Sequence, residues 1–167
     1  MSKFTLPKDG GLIEAGLPIG IKHSYERIPA HIFEDEELAS ERLAEKIAKS
    51  INACEGVFRL GLTTGSSPVA LYRSLVRRYE VGEVSFKNVE IFSIDEYYPA
   101  PADHYSRNRR LYEDFLPYVD VKPENVYVPK LTEIQDSAYV AQFCSEYDAK
   151  AKNLDLLVMG TGEKGQI

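Results

Sequence analysis

The chain has no tryptophan, and only two cysteines, three histidines and two methionines among its 167 residues. Cys54 and Cys144 stand far apart without CxxC spacing, so neither a disulfide framework nor a thiolate metal site of that kind is expected. Each falls in a helix-like segment, where a small buried apolar residue is the expected role. His23, His31 and His104 are scattered and share no ligand spacing. His23 and His31 read as structural residues. No apolar run is long enough to cross a bilayer, and the opening MSKFTLPKDGG lacks the apolar core of a secretory signal. Neither a membrane partner nor an oxidising compartment is expected, and the cytoplasm is the default location. Positive charge is outnumbered, 20 Lys and Arg against 26 Asp and Glu, and forms no long block. The net charge is −6, and Arg77-Arg78 and Arg107-Asn108-Arg109-Arg110 are the basic clusters. Nucleic acid is therefore not an expected partner, because neutralised phosphates supply most of that affinity.

What is present is the make-up of a globular domain, with 44% hydrophobic and 28% charged residues and enough length for one sizeable core. Residues 1–26 carry Gly10-Gly11, Gly16, Pro18 and Gly20 without a period and read as an extended N-terminal arm. Residues 27–167 read as one domain.

Within that domain strands and helices alternate. Arg27–Phe33 reads as a strand, placed at an edge because Pro29 cannot donate to a ladder. Asp35-Glu36-Glu37 opens a helix whose stripe of Leu38, Leu43, Ile47 and Ile51 runs to about Ala53. Val57–Leu62 is the next strand, and Ser67 as N-cap with Pro68 at the first helical position starts the next helix. Val89–Ile94 is a strand, Ser106 to about Leu116 a helix halted by Pro117, and Asn125–Val128 a short strand. Ile134 to about Lys152 is helical, and Leu154–Met159 is a strongly apolar strand. This order predicts a doubly wound α/β domain with a mainly parallel sheet and helices on both faces. Ligands of such sheets sit beyond the carboxyl ends of the strands, near the reversal of strand order.

Three polar clusters fall at those predicted ends. In GLTTGSSP, Thr64, Gly65, Ser66 and Ser67 precede a helix, where free N–H groups and the helix dipole suit an anion. No lysine follows at Walker spacing, so this is not a P-loop, and a capped turn without a ligand fits the spacing as well. Asp95 and Glu96 leave a strand side by side. Adjacent residues point to opposite sides, so one carboxylate is expected in the cleft, where it can serve as a general base; an acidic pair that caps a loop or pairs with arginine is the alternative. The run Gly160-Thr161-Gly162-Glu163-Lys164-Gly165 matches GxGxxG, yet it follows the last strand rather than the first, which argues against a dinucleotide fingerprint. His104, in the loop after Asp95, is a candidate substrate contact.

Taken together, GLTTGSSP, VEIFSIDEYY and LDLLVMGTGEKGQI resemble the glucosamine-6-phosphate deaminase/isomerase family, with Asp103-His104, Ser106 and Pro123-Glu124-Asn125-Val126 adding to the likeness. The resemblance covers residues 27–167 and implies a Rossmann-like fold with a sugar-phosphate site and no metal or organic cofactor. It implies that Thr64, Gly65, Ser66 and Ser67 hold the phosphate. Asp95 would move a proton between C2 and C1 as glucosamine 6-phosphate becomes fructose 6-phosphate and ammonia. Glu96, His104, Gly160, Gly162, Lys164 and Gln166 would surround the site or line its substrate loops.

The last glycine-rich loop departs from the family. Where the deaminases carry Asp, Gly and a ring-opening His, this chain has Lys164-Gly165-Gln166, and glutamine cannot shuttle a proton near neutral pH. The family's later basic residues, which complete the phosphate site, would lie beyond Ile167. Two expectations follow: the chain corresponds to the N-terminal part of a longer domain, or it binds a sugar phosphate without deaminating it. An unfinished sheet would favour self-association. A 6-phosphogluconolactonase-like hydrolase is a third reading, weakened by Tyr97 where that group tends to carry Arg and mildly favoured by Ser106-Arg107-Asn108.

Overall fold

The structure is a computed structural model, and residues 13–14, 31–161 and 164 are described. Helix α1 spans Glu36–Ala53, β3 Phe58–Leu62, α2 Val69–Glu80, β4 Val89–Ser93, α3 Arg109–Asp114, β5 Val126–Tyr127, α4 Ser137–Ala151 and β6 Leu156–Leu157. Ahead of them, β1 (Ile13–Glu14) and β2 (His31–Ile32) form a separate antiparallel pair. Strands β5-β4-β3-β6 make one sheet in that order, and every pair in it is parallel. The chain steps outward from β3 to β4 to β5 and then returns to the far side of β3, so strand order reverses between β3 and β6. The predicted parallel α/β sheet is the observed one, except that β2 belongs to the antiparallel pair.

Alternation along the strands sorts the two faces. Phe58, Leu60 and Leu62 of β3 and Val89 and Ile91 of β4 enter one core with Ala44, Ile47, Ala48 and Ile51 of α1 and Leu71, Tyr72 and Leu75 of α2. Leu111 and Phe115 close this layer, with Phe115 stacked on Tyr72 at 5.4 Å and edge-on to Phe86 at 5.3 Å between ring centroids. The other face is thinner. Phe92 lies under Tyr127 and Tyr147, and Gly61 leaves room for Leu154 and Leu157. Among the described residues, no helix is long and apolar enough to cross a membrane.

Several boundaries differ from expectation. Asp35 caps α1 as its acidic context suggests, accepting from the Leu38 N–H at 2.7 Å. Pro68, however, is itself the residue before α2, and no side chain caps that helix. The third helix is shorter than expected: α3 ends at Asp114, and Pro117 sits inside a 3₁₀ turn, Leu116–Tyr118. Helix α4 has no buried residue, so Cys144 is exposed rather than buried, and Cys54 is half-buried just past the end of α1. The apolar 154–159 segment is strand only at Leu156–Leu157, with β3 its one neighbour in the described sheet, although the Asp155 and Val158 N–H groups also donate to the Arg59 and Gly61 carbonyls of β3.

Candidate functional site

The carboxyl ends of β3 and β4 carry a connected polar cluster. Register places Leu62 beside Ser93, so the segments that follow, 63–67 and 94–97, leave the sheet side by side. Thr64 is buried, and its hydroxyl donates to Asp95 Oδ1. Arg107 approaches the other carboxylate oxygen, with Nε 2.6 Å from Asp95 Oδ2, and also donates to Thr64 Oγ1 at 3.3 Å. The Asp95 side chain is 41% exposed, so it remains within reach of a solute.

Glu96 turns the other way, as alternation requires. It accepts from the Tyr97 N–H at 2.9 Å, the Arg107 N–H at 3.0 Å, the Asn108 amide at 3.0 Å and the Ser106 hydroxyl. Burial, the largest single influence, pushes the Glu96 carboxyl up. The bonds from Ser106, Asn108, Arg107 and Tyr97 together outweigh it and hold the group down at about 2. Asn108 is fully buried; its amide also donates to the Asp95 carbonyl at 2.9 Å and its oxygen accepts from the Ser93 hydroxyl. Residues 106–108 are thereby fastened to the end of β4, and Arg107 is delivered to Asp95.

The glycine-rich turn is partly committed within the protein. Gly65 adopts φ +82°, a left-handed conformation that favours glycine, and its N–H donates to the Arg107 carbonyl at 3.0 Å. The Gly65 N–H and the Thr64 hydroxyl, both expected in an anion cradle, are therefore engaged by Arg107 and Asp95. Ser66 and Ser67 are exposed, and among the described residues neither their N–H groups nor their hydroxyls have a partner. What the turn offers an anion is the pair Ser66 and Ser67 at the head of α2.

Of the other expected site residues, Gly160 is adjacent: a side chain there would come 3.6 Å from the Thr63 hydroxyl, so the loop after β6 borders the loop after β3. Lys164 lies exposed in a turn. Gly162 and Gln166 lie outside the described residues. His104 is exposed in a 3₁₀ turn, its ring 4.0 Å from that of Tyr105, and it makes no hydrogen bond to Thr64, Asp95 or Glu96. Among the described residues, no group of three His, Cys, Asp or Glu is arranged to hold a metal ion. Sequence reasoning missed Arg107 and Asn108. The signals at hand were the basic run 107–110, the Ser106-Arg107-Asn108 run and the alternative in which the acidic pair meets an arginine, none of which says which arginine reaches Asp95.

A parallel sheet with helices, and a polar cluster beside its strand reversal, defines an α/β protein of the doubly wound class. The family model for glucosamine-6-phosphate isomerases/6-phosphogluconolactonase matches residues 34–167. The chain belongs to that family. It is 36% identical over 140 residues to a glucosamine-6-phosphate isomerase of Candida albicans, covering 81% of this chain and 55% of that protein. It is 38% identical over 132 residues to a glucosamine-6-phosphate deaminase of Vibrio parahaemolyticus, covering 74% and 48%. The structure of a monomeric glucosamine-6-phosphate deaminase superposes with a TM-score of 0.66 at 25% identity, over 77% of this chain and 53% of that one. A 6-phosphogluconolactonase from Thermotoga maritima shares the fold, with a TM-score of 0.59 at 18% identity, covering 76% and 56%. The chain spans about half the length of the curated relatives it matches.

Proposed function

We propose that this chain forms the sugar-phosphate and proton-transfer part of a glucosamine-6-phosphate deaminase/isomerase-type site. The observation that carries the reading is Asp95: a solvent-reachable carboxylate at the end of β4, bonded to Thr64 beside the free N–H groups of Ser66 and Ser67. The phosphate binds at Ser66 and Ser67, with Thr64 and Gly65 shaping the turn through their bonds to Asp95 and Arg107. The Asp95 carboxylate takes the proton from C2 of the open-chain aminosugar and returns it at C1, after which water replaces the C2 nitrogen and ammonia leaves. Glu96 holds residues 106–108 in place and does not touch the sugar; His104, Gly160, Gly162, Lys164 and Gln166 border the substrate. The reaction needs no metal or organic cofactor, and the cytoplasm is the location that accords with such a substrate.

The test is ammonia release from glucosamine 6-phosphate, with Asp95→Asn as the control. Loss of a positioned general base lowers turnover by about 10²–10⁴-fold. Release that Asp95→Asn leaves unchanged contradicts the assignment. The second reading, a sugar-phosphate-binding module without turnover, is favoured by Gln166, which stands where the resemblance implies a ring-opening histidine. Calorimetry separates the two: binding of glucosamine 6-phosphate without ammonia release supports the module, and failure to bind any sugar phosphate removes both.

A further inference from the structure

The main chain and side chain of Arg107 are held very differently. Its N–H is bound by Glu96 and its carbonyl by the Gly65 N–H, both at 3.0 Å, so its Cα is fixed between the two site loops. Its side chain is 39% exposed and passes 5.6 Å from the centre of the Tyr97 ring on its way to Asp95. The contacts to Asp95 and Thr64 run through Nε, one of five N–H donors on a guanidinium.

This arrangement occupies both oxygens of the proposed base. One oxygen of Asp95 accepts from Thr64 and the other faces the Arg107 guanidinium, so each oxygen already has a partner. Release of one of these partners clears an oxygen for a carbon-bound proton, and Arg107, 39% exposed, is freer to move than the buried Thr64. The phosphate expected at Ser66 and Ser67, next to the Gly65 anchor of Arg107, is a stronger attractor, since the guanidinium fork matches phosphate oxygens two at a time.

We infer that Arg107 exchanges partners on binding: it pairs with Asp95 in the empty site and with the phosphate of the bound sugar, so that substrate binding itself frees the base. The inference rests on the sugar-phosphate reading above. Arg107 is then both a binding residue and the one that keeps Asp95 from acting as a base in an empty site. The guanidinium rotates about its own side chain while the backbone at Gly65 and Glu96 stays in place.

A double-mutant cycle tests it, read by calorimetry with fructose 6-phosphate, which carries no amine to contact Asp95, and with fructose as the unphosphorylated control. R107A is expected to weaken fructose 6-phosphate binding about tenfold and to leave fructose unaffected, the loss of a charge-assisted phosphate contact. D95N removes the competing partner and is expected to tighten fructose 6-phosphate binding about threefold, a gain that vanishes in the double variant because the two residues are coupled. R107Q, shorter and uncharged but with an amide that still donates, takes the place of R107A should the latter fail to fold. Unchanged binding in the arginine variant overturns the exchange while leaving the sugar-phosphate reading intact, as does a D95N effect of the same size in both backgrounds. No binding of fructose 6-phosphate or glucosamine 6-phosphate to the wild-type chain or D95N overturns the underlying reading and the exchange with it.

Discussion

Asp95 and Glu96 are chemically near twins, one residue apart, and the fold gives them opposite work. Asp95 faces solvent with Thr64 and Arg107, whereas Glu96 is closed in by four donors. Glu96 is held below its usual range, which fixes the sign of its contribution to stability. The folded state favours the carboxylate, so the contribution is complete above the unfolded value near 4.5 and fades as pH falls toward about 2. Glu96→Gln is expected to cost about 2 kcal/mol at neutral pH, the scale of hydrogen bonds to a charged group. Urea midpoints of variant and wild type should converge as pH is lowered through that window; a gap independent of pH would contradict the assignment. Strand alternation made the divergence of this pair legible in the sequence. Arg107 was not legible, because its role depends on Asn108 being buried under Ser93 and on Glu96 holding the 106–108 backbone, contacts that no periodicity encodes.

Among the described glycines, Gly61 of β3 has the closest neighbours. Gly61 lies inside the strand, as the sequence suggests, and a Cβ there would come 2.5 Å from Leu157 Cδ1 and 3.1 Å from Leu154 Cδ1. The absent side chain is what lets the 154–157 segment settle on β3. Gly61→Val is expected to cost about 1–3 kcal/mol by overpacking. The Leu157 and Val158 amides should lose hydrogen-exchange protection in that variant, while α1 keeps its own. Unaltered protection at β6 would show that the segment accommodates the added bulk. The start of α2 illustrates the converse. Ser67-Pro68 reads as a capped helix start, but the helix begins at Val69 without a side-chain cap. The uncapped N–H groups of Ser66 and Ser67 are what remain for a ligand.

Across the molecule the two faces of the sheet are unequal. One is sealed by α1, α2 and the 111–116 segment, and the other meets an α4 without a buried residue. Native-state hydrogen exchange should therefore open in two stages, α4 and β6 first and α1, α2, β3 and β4 near the global limit. A single cooperative opening would refute that division. Alternation of strands and helices revealed the parallel sheet because each strand carries its own apolar signal. The thinness of the second face was hidden, since Tyr139, Phe143 and Tyr147 at four-residue spacing suggest a packed stripe, whereas Tyr139 is half exposed and Tyr147 reaches the sheet mainly through Phe92 and the Ser93 carbonyl.

The bond from the Gly65 N–H to the Arg107 carbonyl sits between these loops. It joins the turn after β3 to the segment that Glu96 fastens at the end of β4, so neither loop can slide along the sheet without the other. On the sugar-phosphate reading, the gap between the Ser66–Ser67 anion seat and the Asp95 carboxylate becomes a ruler of fixed length. It measures how many carbons separate a phosphate from the carbon that gives up its proton, and a sugar one carbon shorter would reach only one of its two marks.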